Sequence, residues 1–158
     1  MRKNFRADEM STTTVDFPGG YLKPAIYSGL IGAVVGSLVF KEGIMSKQNL
    51  MDAGALAAAN VIGNYVAFEY MPATRLGMDD ARIFPGLLGA AAYTGWESYR
   101  GHGDLGKNAG VGVVACVGGN MLGIEKDAAK TAFASQVAKK KAEAAAKAAA
   151  AAAAAAGN

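Results

Sequence analysis

The chain has 158 residues, 52% hydrophobic and 18% charged, with a formal net charge of +3, which is enough for one domain. Its single cysteine, Cys116, excludes an intrachain disulfide and reads as a small buried hydrophobe. The mean hydropathy of +0.17 does not separate a membrane protein from a soluble one, because a long alanine tail contributes to it.

Residues 1–20 are polar and end in Phe17-Pro18-Gly19-Gly20, which predicts an N-terminal arm. Basic Met1–Arg6 runs into Asp8-Glu9 and a threonine cluster rather than an apolar core, so no secretory signal peptide is expected. Four uncharged runs follow. Pro24–Phe40 is 17 residues between Lys23 and Lys41, and Ala53–Phe68 is 16 between Asp52 and Glu69. Ile83–Trp96 is 14 between Arg82 and Glu97, and Asn108–Ile124 is 17 between Lys107 and Glu125. A transmembrane helix needs about 20 apolar residues, with roughly 17 as the lower limit. Flanking Lys and Arg can reach headgroups, and Tyr70, Trp96 and Tyr99 stand where an interfacial aromatic belt would lie. A soluble bundle with a Gly/Ala-rich core is the competing reading. It requires a polar stripe of period near 3.6 on each helix, and these segments carry none.

Small residues spaced by four let helix backbones approach closely in lipid. Segment one has Ser28, Gly32 and Gly36 on one ridge and Ala25, Gly29, Ala33 and Ser37 on the next. Segment two has Ala55, Ala59, Gly63 and Ala67. Gly86, Ala90 and Thr94 form the ridge of segment three, and Ala115, Gly119 and Gly123 that of segment four. Gly29, Gly32, Gly36, Gly63, Gly89, Gly119 and Gly123 are the packing candidates. Asn60 and Asn64 stand one turn apart on segment two, and Asn120 is the matching polar residue of segment four. An interhelical hydrogen bond is the ordinary role for such residues, a polar pathway the alternative. Glu69 and Glu125 fall at span ends, Asp52 and Asn108 read as N-caps, and Pro85 suits a first helical turn.

No catalytic set, cofactor motif or metal-ligand set is read. His102, in Arg100-Gly-His-Gly-Asp104, has no Cys or second His beside it and reads as a plain loop histidine. Asp79-Asp80 reads as the solvated start of segment three, and no glycine spacing carries the Lys-Ser/Thr of a phosphate loop. The protein is therefore expected not to be an enzyme.

From Asp127 to Ala156 the chain is almost all Ala and Lys, long enough to form a helix unaided. Phe133 and Val137 give its start an apolar contact. Lys139, Lys140 and Lys141 form a cationic cluster suited to anionic lipid, nucleic acid or an acidic protein surface. With four spans, twelve basic residues lie on the side of the termini and four on the other, which predicts termini on the cytoplasmic or interior side.

Residues 52–69 and 108–125 align without a gap with seven identities in eighteen, among them Gly63/Gly119, Asn64/Asn120 and Glu69/Glu125. Gly29-Leu30-Ile31-Gly32-Ala33 recurs as Gly86-Leu87-Leu88-Gly89-Ala90. These offsets of 56 and 57 predict a duplicated helical hairpin, with repeats at about 24–70 and 81–126, related by a pseudo-twofold axis along the membrane normal.

The layout of residues 21–156, paired Gly/Ala-rich spans followed by a lysine–alanine tail, resembles the small membrane-embedded minor capsid proteins of large icosahedral double-stranded DNA viruses, particularly those of algae. That resemblance implies a protein of a virion's internal membrane that ties lipid to the overlying shell. The sequence thus predicts an all-α, four-span membrane bundle (21–126) with a long C-terminal helix (127–158). It would act as a structural anchor or scaffold in a multi-subunit assembly, its partners being the lipid bilayer and other membrane or capsid proteins. A small channel or transporter subunit is the alternative.

Overall fold

A computed structural model describes residues 16–74, 76 and 78–156; most of the arm lies outside the described residues. The described residues are all-α and form five helices, α1 (Leu22–Phe40), α2 (Lys47–Tyr70), α3 (Ile83–Arg100), α4 (Leu105–Gly123) and α5 (Lys126–Ala156). Helices α1 to α4 pack antiparallel in a ring, each against its chain neighbours with α1 closing on α4, and α2 and α4 also touch across the centre. The starts of α1 and α3 and the ends of α2 and α4 share the proximal end of the bundle. The α1–α2 and α3–α4 loops form the distal end.

The helices are longer than the uncharged runs. Helix α2 starts at Lys47, where Ser46 caps it by accepting from Asn49 N at 3.1 Å. Helix α4 starts at Leu105, with Asp104 accepting from Lys107 N at 2.8 Å. Asp52 and Asn108 are therefore not N-caps. Each lies inside its helix and is buried, because the true caps sit upstream of the charge boundary that the sequence pattern marks. Pro85, as expected, falls in the first turn of α3, and Pro24 does the same in α1. Helix α3 ends on Gly101 at φ +68°, a left-handed position that glycine adopts without a Cβ clash.

Two apolar clusters fill the bundle. At the proximal end, Phe17, Phe68, Phe84, Ile124 and Phe133 gather with Ala67, Ala81, Ala129 and Ala132. Phe17 thus belongs to the core rather than to a free arm: it stacks on Tyr21 and meets Phe68 and Phe133 edge-on. The second cluster, Leu56, Ala59, Tyr93, Val111, Ala115 and Cys116, occupies the middle. Helix α5 runs 31 residues, but only Ala129, Ala132, Phe133 and Gln136 are buried, and residues 141–156 are exposed throughout. Alanine propensity rather than packing holds its outer half helical.

Candidate functional site

From the middle of the bundle to its proximal end, small residues bring backbones together. A Cβ on Gly63 would fall on the backbone of Pro85 and Gly89 in α3, and one on Gly119 would lie 2.7 Å from Pro24 O and Ser28 N in α1. Gly123 likewise faces Pro24, Gly29 faces Ala53 and Ala57, and Gly89 faces Ala59 and Asn60. Gly32 meets only the Leu56 side chain, and Gly36 the Asn49 amide, so those two contacts are softer.

Beside these contacts runs a polar seam between α2 and α4. Asn60 Nδ2 donates to Cys116 O at 2.9 Å. Asn64 Nδ2 donates to Asn60 Oδ1 at 2.7 Å and to Asn120 Oδ1 at 2.8 Å, and Asn120 Nδ2 donates to Arg82 O at 3.0 Å. All three asparagines are fully buried. Ser28 Oγ donates to Leu56 O at 3.3 Å and approaches Cys116 Sγ at 3.5 Å, which brings α1 into the seam. The two asparagine bonds that join α2 to α4 each link residues 56 apart in the chain.

At the proximal end the seam stops at an ion pair. Arg82 holds Asp80 through Nη2–Oδ2 at 2.7 Å and Nε–Oδ1 at 2.9 Å, and its Nη1 donates to the Met121 and Ile124 carbonyls at 3.1 and 3.0 Å. The guanidinium satisfies the end of α4 while holding the Asp80 carboxyl below its usual range. Nearby, burial pushes the Tyr21 phenol up to about 12, with the Glu69 charge adding to the effect. Glu69 also accepts from Gln136 Nε2 of α5 at 3.3 Å.

The distal end holds a charged cluster that the sequence pattern does not reveal. Asp52 of α2 and Glu97 of α3 are buried, Glu97 with no exposed side-chain surface. Arg100 Nη1 lies 3.3 Å from Asp52 Oδ1 and 3.0 Å from Glu97 Oε1. Gln48 adds a bond to Asp52 Oδ1 at 2.7 Å and accepts from Arg100 Nη2 at 3.2 Å. His102 is not a plain loop histidine. Its Nδ1 faces Glu97 Oε2 at 3.2 Å and Asp52 Oδ2 at 3.6 Å, and its Nε2 faces Glu42 Oε1 at 3.6 Å. Asn108 fixes the loop by donating from Nδ2 to His102 O at 2.7 Å. The available signal was that Asp52 and Glu97 fall within helices once the caps are placed correctly, where an ionisable group buried on a packed face requires a partner.

The outside of the bundle has the reverse character. Leu22, Ile26, Leu30, Val34 and Leu38 form a stripe along α1 that is 49–74% exposed. Ile62, Tyr65, Val113, Val114, Met121 and Leu122 are exposed on α2 and α4. Between α2 and α3 an open apolar groove of about 710 Å³ is lined by Met51, Ala55, Ala58, Ile62, Trp96 and Tyr99, among others. Taken singly, only α1 among the described helices is long and apolar enough to cross a membrane. In the tail, Lys139 and Lys141 are exposed and Lys140 is partly covered. Comparison with known protein families, with curated proteins and with solved structures finds no match.

Proposed function

We propose that this chain is a four-span integral membrane protein, built from two repeated hairpins, that anchors or scaffolds a larger assembly. The observation that carries the reading is its inverted polarity. Asparagines, a serine, Asp52 and Glu97 lie inside, while Leu, Ile, Val and Met cover α1, α2 and α4 outside. Contiguous apolar exteriors of this extent mark surfaces meant for lipid or protein. At 1.5 Å per residue, helices of 18 to 24 residues span about 27–36 Å, close to a hydrocarbon core of about 30 Å. Helices α2, α3 and α4 fall short of a span when taken singly, and part of their polarity, Asn60, Asn64, Glu97 and Asn120, is turned inward. Insertion as assembled hairpins reduces that cost, since the Asn60, Asn64 and Asn120 amides then donate to partners away from lipid.

The repeat has support of its own. Equivalent residues of two repeats touch one another only beside the axis that relates them, and Asn64 bonds Asn120. On this reading the axis runs between α2 and α4. The exposed tail, with Lys139–Lys141, lies outside the bilayer on the proximal, interior-facing side and binds a neighbouring protein or anionic surface. A virion membrane protein that links lipid to a shell is one form this function takes. Alkaline carbonate extraction tests the reading. The protein is expected to stay with the membrane pellet, and its release into the supernatant would overturn it.

A second reading, a small conduit, draws on the buried asparagine seam and the charged distal cluster. The asparagines are bonded to one another and sealed by backbone contacts at Gly63 and Gly119, which favours a closed bundle. Reconstituted protein is expected to pass no ions. A current removed by Asn64→Leu would put the conduit first.

A further inference from the structure

The distal cluster divides its carboxylate oxygens in a specific way. Asp52 Oδ1 and Glu97 Oε1 are taken by Arg100, with Gln48 also on Asp52 Oδ1. The remaining oxygens, Asp52 Oδ2 and Glu97 Oε2, both converge on His102 Nδ1 at 3.6 and 3.2 Å. One imidazole nitrogen carries at most one proton, so it satisfies at most one of those oxygens. Two carboxylates and a ring nitrogen gathered on one point are a ligand set with its outer positions already held.

The geometry points to a divalent first-row transition-metal ion, zinc being the best match, held by Asp52 Oδ2, Glu97 Oε2 and His102 Nδ1. Zinc bound to N and O donors at about 2.0–2.1 Å gives tetrahedral edges of about 3.3–3.4 Å. The two imidazole–carboxylate separations bracket that value, and all three donors lie within 4.8 Å of one another. The surroundings are those of a metal site. A ligating histidine ordinarily directs its other ring N–H to a carboxylate, and His102 Nε2 faces Glu42. Arg100 and Gln48 orient the ligating carboxylates from behind. Three carboxyl side chains, Asp52, Glu97 and Glu42, gather here around one guanidinium and one imidazole, a donor set suited to a divalent cation.

A separate observation concerns the fourth position. Tyr93, one turn before Glu97 on α3, is 1% exposed, and its hydroxyl has no hydrogen-bond partner. Four residues before Glu97, it lies on the same face of α3 as that ligand. A water on the metal gives that hydroxyl the partner it lacks. Access from outside runs past His102 and Glu42, whose side chains are about a quarter exposed at 25% and 26%.

The test uses the full chain in detergent, stripped with a chelator and then titrated with Zn2+ by calorimetry, with Mg2+ as control and Co2+ as a visible-absorption probe. One Zn2+ per chain is expected, displacing Co2+ and bound at least tenfold more tightly than Mg2+. His102→Gln, at a loop position that leaves helix content unchanged, should abolish stoichiometric binding. Glu42→Gln, which removes the charge of the outer partner and keeps an oxygen able to accept from Ser46 Oγ, should weaken it by about 10- to 100-fold. Lys107→Gln should change nothing. Failure of the wild-type chain to bind Zn2+ stoichiometrically, or equal binding by His102→Gln, would overturn the site and leave an ionic network only. The outcome is independent of the membrane reading, since carbonate extraction does not depend on metal.

Discussion

At the proximal end the bundle is closed by Phe17, Phe68, Phe84 and Phe133, with one ion pair beside them, whereas at the distal end Asp52, Glu97, Arg100 and His102 occupy the position of a core. The proximal end is where α5 docks, through Phe133 on Phe68 and Gln136 on Glu69. Apolar closure there tolerates an added element, because dispersion and burial are non-directional. Ionic closure at the distal end fixes α2, α3 and the two distal loops in one geometry and leaves donors converging on a point. One end is suited to attachment and the other to holding charge.

Between the ends lies the Gly63 contact with Pro85 and Gly89, and breaking it should have the largest effect. Gly63→Leu places a branched side chain where α3 backbone already stands, so α2 and α3 must separate and both ends lose their alignment. A loss on the order of 4 kcal/mol is expected in a detergent-unfolding assay. Val66→Leu, on the same helix at a partly exposed position, should change stability by less than about 1 kcal/mol.

The next substitutions set one end against the other. Glu97→Leu leaves Arg100 and His102 each short of a buried partner and should cost about 3 kcal/mol. Replacing Asp52, Glu97 and Arg100 together by leucine should recover most of that loss, because the charges are then removed as a set. Phe133→Ala at the proximal end should also cost about 3 kcal/mol by leaving a cavity against Phe17 and Phe68. Its signature differs: α5 should become accessible to protease while the distal cluster is undisturbed. Equal exposure of the tail in Glu97→Leu would mean that the two ends are not separable.

These contrasts also mark what was legible in the chain. The all-α class, four packed helices and a long C-terminal helix follow from uncharged runs bounded by charges and from an alanine-rich end. Asn60, Asn64 and Asn120 stand out because polar residues are conspicuous in apolar runs. Asp52, Glu97, Arg100 and His102 do not, because Asp52 and Glu97 border a run and Arg100 and His102 lie between two runs, where a charge ordinarily needs no explanation. Only the placement of Ser46 and Asp104 as caps draws Asp52 and Asn108 inside their helices. Phe17 was hidden by its neighbours: Pro18-Gly19-Gly20 reads as the end of an arm, yet Gly19 and Gly20, both at positive φ, turn the chain so that the ring folds back onto the core.

Acid should distinguish the ends by a smaller margin. Hydrogen bonding to Arg82 holds Asp80 below its ordinary value of 3.8. A carboxyl lowered in the folded state contributes stability above its unfolded value, and that contribution is lost as pH falls through the folded one. Unfolding followed from pH 5 downward should therefore show a loss below about 3.8 that Asp80→Asn abolishes. At neutral pH the same substitution should cost no more than about 1 kcal/mol, since the pair is partly solvated. An unchanged acid profile in Asp80→Asn would show that the clamp at the end of α4 rests on the Arg82–carbonyl bonds instead.

The smallest effect is expected where glycine meets nothing. Gly54 in α2 and Gly110 in α4 are aligned in the repeat, and a Cβ at either would find no atom within 4 Å. Unlike Gly63 and Gly119, they have no neighbour that requires the absence of a side chain. Alanine in a helix interior is favoured over glycine by about 1 kcal/mol, chiefly through backbone entropy in the unfolded chain. Gly54→Ala and Gly110→Ala should therefore leave stability unchanged or raise it by up to about 1 kcal/mol, measured in the same assay as Gly63→Leu. The result bears on what covers the outer faces. Lipid tails adapt to a methyl group, whereas a helix of a second protein packed against these glycines would not. A loss of stability in both variants in the isolated protein would mean that copies of the chain pack through these faces. A loss seen only in a complex with another protein would place that protein's contacts there.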